Sequence, residues 1–155
     1  MSAVFRCFLF CVAALIPASG AAAASLPGHV AAAFSGYVDD CQQEKQKPPK
    51  ESDFVTRVDD LDGDGKPDFV FDIARGCESN RMLYCSDDGC KIAFYLSTEE
   101  TALSAHSFHV KSWRQAKGER PSRIIATMSG ASCGPAKPAT CEKTIRFKDG
   151  AMVVE

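Results

Sequence analysis

Apolar side chains first fall into a repeating pattern at Val30, Phe34, Val38 and Cys41, with Tyr37 beside them. Steps of four, four and three residues put these on one stripe of a helix, and the positions between are small or polar. The spacing predicts a helix over residues 28 to 45. Pro27 suits its first turn, and Lys47-Pro48-Pro49-Lys50 ends it, because proline cannot supply the amide that a continuing helix needs. After a short linker through Ser52 the pattern changes. Phe54–Val58 and Phe69–Ile73 are rich in β-branched and aromatic residues and read as strands. Lys91–Leu96, Ser107–Trp113, Ser122–Met128, Thr144–Phe147 and Ala151–Val154 complete the set, several of them bounded by Gly, Pro, Asp or Ser. Within the fourth run, Phe108, Val110 and Ser112 alternate with His109, Lys111 and Trp113. Lys148-Asp149-Gly150 marks a hairpin between the last two runs. The fold class expected is α+β: one N-terminal helix on a meandering, mainly antiparallel sheet, with no repeats.

The first two dozen residues follow different rules. Arg6 precedes an apolar run from Cys7 to Ile16, followed by Pro17-Ala18-Ser19-Gly20 and four alanines, Ala21 to Ala24. This is the order of a secretory signal peptide, so residues 1–24 are expected to be removed before Ser25. The run is too short for a membrane helix, and no later run approaches the roughly 20 apolar residues that one needs. Phe8-Leu9-Phe10 ahead of Cys11 lacks the small residues of a lipoprotein signal. Residues 25–155 then form a single disulfide-rich domain, exported to a periplasm or the cell exterior. Without Arg6 the 18 basic residues become 17 against 20 acidic ones, a net charge of −3. Nucleic acid is a poor partner for such a chain, because phosphate binding calls for a basic excess.

Export changes how the cysteines are read. Of eight, Cys7 and Cys11 lie in the leader, which leaves Cys41, Cys77, Cys85, Cys90, Cys133 and Cys141. An even set in an oxidising compartment implies a disulfide framework, although sequence alone does not choose among its pairings. Local spacing favours Cys85 with Cys90 around Ser-Asp-Asp-Gly, and Cys133 with Cys141 around a segment holding a glycine and two prolines. That leaves Cys41 for Cys77. Zinc is the weaker reading: there is no C-x-x-C, and the His106-x-x-His109 pair lies far from any cysteine.

One segment carries chemistry. In Asp60-Leu61-Asp62-Gly63-Asp64-Gly65-Lys66-Pro67-Asp68, carboxylates occupy loop positions 1, 3, 5 and 9, with a glycine at 6. Alternate residues of a tightly wound loop turn their oxygens inward, and the glycine permits the sharp turn. Position 7, Lys66, would offer its backbone carbonyl. Hard oxygen donors in a flexible cage suit calcium, at about 2.3–2.6 Å, better than magnesium, which demands a strict octahedron. Residues 59–72 hold six Asp and one Lys, and in a folded hairpin such carboxylates would repel one another unless a cation lay between them. The expected ligands are Asp60, Asp62, Asp64, the Lys66 carbonyl and Asp68, and the expected cofactor is Ca2+.

The first half of this stretch resembles the calcium loops of EF-hands and dockerins, but Phe71 stands where those loops place an acid at position 12, and the flanks read as strands. It is more similar to the β-hairpin calcium loop of FG-GAP/VCBS-type repeats: Asp, an apolar residue, Asn or Asp, Gly, Asp, Gly, two residues, Asp, then a strand. The resemblance implies metal ligation by the residues just named. It covers about a dozen residues and occurs once, so it implies no propeller, which needs several four-stranded blades.

Other signals are weaker. Gly130-Ala131-Ser132-Cys133-Gly134 spells the G-x-S-x-G nucleophile elbow, but no histidine follows it and a proline-rich segment comes next. His106 and His109 on one strand should face opposite ways. Lys111, Arg114, Lys117, Arg120 and Arg123 read as a solvated edge that could instead meet an acidic glycan or protein partner, and Trp113 as core or contact. The reading that follows is a non-enzymatic exported calcium-binding protein, its metal structural, acting as a binding or structural module of unknown ligand. The alternative is a protein-directed inhibitor or interaction factor of the cell envelope, inserting loop 85–90 or 133–141. A hydrolase acting at Ser132 ranks last.

Overall fold

A computed structural model describes residues 25–98, 106–116, 118–134 and 139–155. The proposed signal peptide, 1–24, lies outside the described residues. The chain builds three layers: a helix, a mixed-length antiparallel sheet, and a second antiparallel sheet. Helix α1 (Gly28–Gln43) occupies the predicted span. A single turn, α2 (Glu51–Phe54), leads into β1 (Val55–Val58), which pairs with β2 (Asp68–Asp72). A 3-10 turn (Ile73–Arg75) and helix α3 (Glu78–Tyr84) follow. Then come β3 (Cys85–Ser86), β4 (Gly89–Tyr95) and β5 (His106–Val110). Strands β3 and β2 share one edge of β4 end to end, and β5 takes the other edge. The second sheet is β6 (Ser112–Gln115), β7 (Ile124–Ser129), β8 (Thr140–Lys148) and β9 (Ala151–Val154), paired in that order.

The two-residue period of the strands sorts side chains between the layers. On β2 and β4, Phe69, Phe71, Ala93 and Tyr95 face α1, where they pack with Val30, Phe34, Tyr37 and Phe54. Val70, Ile92 and Phe94 face the other way and meet Ile124, Ala126, Met128, Ile145 and Phe147 of the second sheet. The central sheet is thus buried on both faces, which is why its strands read as almost continuous apolar runs. Phe54, Phe71 and Phe94 are fully buried, and each such side chain contributes about 2–3 kcal/mol of transfer free energy.

Helix and antiparallel β-structure are as expected, but the strands form two sheets rather than one. The predicted strand Ser107–Trp113 divides at Lys111. Its first part borders the central sheet, while the Lys111 N–H already donates to Thr127 O of the second sheet (2.7 Å). The alternation changes phase there, so Trp113 packs against the same core as Phe108 and Val110 instead of facing away. Helix α3 was not foreseen, since its buried residue is Asn80 while Met82 and Leu83 are exposed, and no apolar stripe marks it.

Three disulfides join Cys41 to Cys77, Cys85 to Cys90 and Cys133 to Cys141, the pairing that local spacing favours. Cys85 and Cys90 are directly opposed across the β3–β4 hairpin. Gly89 in that hairpin has φ +117, and a Cβ on it would run into the Val110 carbonyl, so only glycine lets β5 close against β4 here.

Candidate metal centre

The Asp-rich loop joins β1 to β2 within the hairpin, and its shape is held by its own carboxylates. Asp60 accepts the Gly63 N–H on Oδ1 (2.5 Å) and the Gly65 N–H on Oδ2 (2.9 Å). Asp62 Oδ1 accepts from Asp64 N (3.1 Å), and Asp64 Oδ1 from Lys66 N (2.7 Å). Each is a short side-chain-to-backbone turn that competes with regular structure and winds the chain tightly. Gly65 has φ +84, the left-handed conformation that the sharp turn at this position was expected to require. Leu61, 1 % exposed, plugs the loop into the core between the sheets.

Asp68 closes the loop from inside. It is fully buried, and its two oxygens accept the Leu61 N–H (Oδ2, 2.7 Å) and the Ser97 N–H (Oδ1, 2.7 Å). The carboxylate therefore ties the start of the loop to the residues following β4. No cationic side chain reaches it among the described residues, and burial pushes its pKa up to about 6 despite the two amides, with Asp62 and Asp64 adding repulsion. Asp64, by contrast, is held below the ordinary carboxylate range, chiefly by the Ser97 hydroxyl and then by the Lys66 amide.

One oxygen each of Asp60, Asp62 and Asp68 lies within 4.8 Å of the others. Two ligands on opposite sides of a cation with bonds of about 2.3–2.6 Å lie at most about 5 Å apart, so the spacing fits one hard ion. Asp64, also expected as a ligand, is not in that group. Its Oδ2 takes the Ser97 hydroxyl (2.7 Å), with Lys66 Nζ 3.8 Å away. Ser97 and Thr98 were missed by sequence reasoning. They sit some thirty residues downstream and bond Asp64 and Asp62 respectively, Thr98 Oγ1 lying 3.1 Å from Asp62 Oδ2. Only two hydroxyl residues at the end of a strand could have signalled them.

The other sequence candidates lie apart from this loop. Ser132 is exposed in a 3-10 turn (Gly130–Cys133) after β7, its neighbour Cys133 is in a disulfide, and among the described residues no α-helix follows it as a nucleophile elbow requires. His106 stacks edge-on against Phe147 while His109 is exposed, on opposite faces as expected. Of the basic residues, Arg114 pairs with Glu142 and Arg123 with Glu119, Lys111 Nζ donates to the Asp87 carbonyl, and Lys117 lies outside the described residues. Compared with protein-family models, with characterised proteins and with solved structures, the chain matches none.

Proposed function

We propose that residues 60–68 hold a structural calcium ion in an exported binding module. Asp60, Asp62 and Asp68 would supply carboxylate oxygens. Asp64 and the Lys66 carbonyl would complete the cage once Asp64 turns from the Ser97 hydroxyl. The observation that carries this reading is Asp68, a fully buried carboxylate that faces two other acids and, among the described residues, meets no cationic side chain. A divalent ion would offset that burial cost and lock the β1–β2 hairpin to the end of β4. Three disulfides suit an oxidising compartment, which supports export, and no helix among the described residues is long and apolar enough to cross a membrane.

Calorimetric titration of calcium into the oxidised, chelator-stripped protein tests the proposal. The expected result is binding at one site, with an affinity inside the range of about 10⁻⁷ to 10⁻³ M covered by such loops. Asp62→Ala should abolish it. Absence of heat at millimolar calcium would reduce the loop to an acidic turn.

A second reading, the protein-directed interaction factor, is favoured by a different observation. Met82 and Leu83 are 75 % and 66 % exposed, side by side on α3, whose flanking residues Cys77 and Cys85 are both in disulfides. A rigid apolar knob loses little entropy when it enters a partner's pocket. It lies on the helix preceding loop 85–90, rather than in that loop. Crosslinking to envelope proteins should yield a discrete partner that Met82→Ser/Leu83→Ser loses at unchanged melting temperature. Equal crosslinking by the variant would remove the knob from consideration.

A further inference from the structure

A groove of about 460 Å³ opens beside the Asp loop, lined by Arg57, Asp59, Asp60, Lys66 and Arg120 together with Val58, Gly65 and Pro67. One wall is the β1–β2 hairpin of the central sheet. The other is the turn between β6 and β7 of the second sheet. The two are joined by a hydrogen bond from the Ser122 N–H to the Asp60 carbonyl (2.6 Å). Ser122 is 3 % exposed and accepts the Gln115 side chain on its hydroxyl (2.7 Å), so the turn bearing Arg120 is fixed against the loop.

The charges in this groove are unequally engaged. Both oxygens of Asp60 are turned into the loop, on the Gly63 and Gly65 amides. Lys66 is exposed and makes only a long ion pair, its Nζ lying 3.8 Å from Asp64 Oδ2. Among the described residues, the guanidinium groups of Arg57 and Arg120 form no ion pair or hydrogen bond. Among the described residues three cations thus line the groove, against Asp59 as the one lining acid not already turned into the loop, in a chain of net charge −2. Guanidinium groups present forked donors that match carboxylate and phosphate oxygens, and walls of low dielectric strengthen the attraction.

We propose that this groove binds a small organic anion, whose carboxylate or phosphate group is held by Arg57 and Arg120, with Lys66 at the rim. The volume suits a ligand of sugar size or somewhat larger. The site also rests in part on the calcium reading of the neighbouring loop: an ion on Asp60 cancels a negative charge at the groove wall and stiffens the segment that carries Arg120 through Ser122. Calcium and anion should therefore each tighten the binding of the other, by the same factor.

The test titrates glucuronate, glucose 6-phosphate and neutral glucose into the full oxidised protein, first with chelator and then with calcium. Both anions should bind and glucose should not. The stronger of the two identifies carboxylate or phosphate as the group recognised. Arg57→Gln and Arg120→Gln should each weaken anion binding about tenfold, the loss expected for a charged hydrogen-bonded contact, while melting temperature and calcium titration stay unchanged. Calcium should strengthen the anion several-fold. The proposal is overturned if neither anion binds at roughly millimolar concentration, or if both arginine variants bind like the parent. Calcium titrated without anion tests the loop separately, and the anion titrated into chelated protein tests the groove separately, so one reading can fail while the other stands.

Discussion

In the absence of calcium, the protein should become less stable as the pH rises from mildly acidic to neutral, the reverse of ordinary acid denaturation, and Asp68→Asn should flatten this slope. The carboxyl of Asp68 titrates near pH 6 in the fold against 3.8 for an ordinary aspartate, because burial opposes its charge. A carboxyl whose folded pKa is raised binds a proton more tightly in the native state. Its contribution is therefore fully present below the unfolded value, and it is lost as the pH rises through about 6. Two pKa units correspond to about 3 kcal/mol, an upper figure for the change across this window. Asp64 acts in the opposite sense, since its lowered pKa favours the fold at higher pH. It is solvent-screened, and subtracting the Asp68→Asn curve from the parent curve removes it in any case. The asparagine keeps one acceptor oxygen for the Leu61 or Ser97 amide and loses the other, so the variant should be less stable at low pH but nearly independent of pH across the window.

Calcium should invert the trend. A ligating Asp68 must be ionised, so calcium competes with the proton, and affinity falls as the pH drops through about 6. At neutral pH a bound ion would balance the buried charge, and calcium a hundredfold above its Kd should add about 3 kcal/mol. Denaturant midpoints measured across this pH range, with chelator and with calcium, give both curves. Equal slopes in the parent and Asp68→Asn would show that Asp68 is not the origin, and a calcium curve parallel to the chelator curve would remove it from the metal site.

How much of this was legible in the chain depends on the distance over which each feature is encoded. The loop from Asp60 to Asp68 is local: its carboxylate spacing, its glycine and its flanking strands lie within a dozen residues, and Asp60, Asp62 and Asp68 do converge. The stripe of α1 and the runs of β2 and β4 were legible for the same reason, and so were the short disulfides, whose partners enclose turn residues. What escaped is set by tertiary contact. The buried side of α3 is a polar Asn80 that donates to the Tyr37 carbonyl of α1 (3.4 Å), a partner no periodicity reveals. The break at Lys111 depends on where β7 lies, and alternation continues through it in the sequence. Ser97 and Thr98 meet the Asp loop because β4 pairs beside its hairpin in the central sheet, and Arg120 because the second sheet packs alongside.

Removing the Cys41–Cys77 bridge should be the most damaging of the three disulfide deletions. It closes the longest loop, with a sequence separation of 36, against 5 for Cys85–Cys90 and 8 for Cys133–Cys141. Chain entropy alone assigns it about 4 kcal/mol, and about 2 to 3 kcal/mol to either short loop. Its position adds to the difference. Cys41 is fully buried at the end of α1, and the bridge fastens that helix to the segment entering α3. The helix's other polar ties are single hydrogen bonds: His29 Nε2 lies 3.1 Å from the Leu96 carbonyl, the Ser79 hydroxyl donates to the Asp40 carbonyl (3.5 Å), Asn80 donates to the Tyr37 carbonyl (3.4 Å), and just past the helix the Gln46 side chain accepts the Ser79 amide (3.0 Å). Once α1 loosens, Phe54 and Phe71 lose Phe34 and Tyr37 as ring partners, and one whole face of the central sheet opens to water. Cys41→Ala/Cys77→Ala should therefore lower the denaturation midpoint by more than either short-loop pair and expose the Tyr37 ring, detectable by quenching of tyrosine fluorescence. The second core, between the sheets, contains no α1 residue, so hydrogen exchange should show β7 and β8 still protected when α1 has lost protection. Equal midpoints for the three paired deletions, or loss of protection in β7 together with α1, would mean that the helix layer is not separately held and that loop length does not rank these bridges.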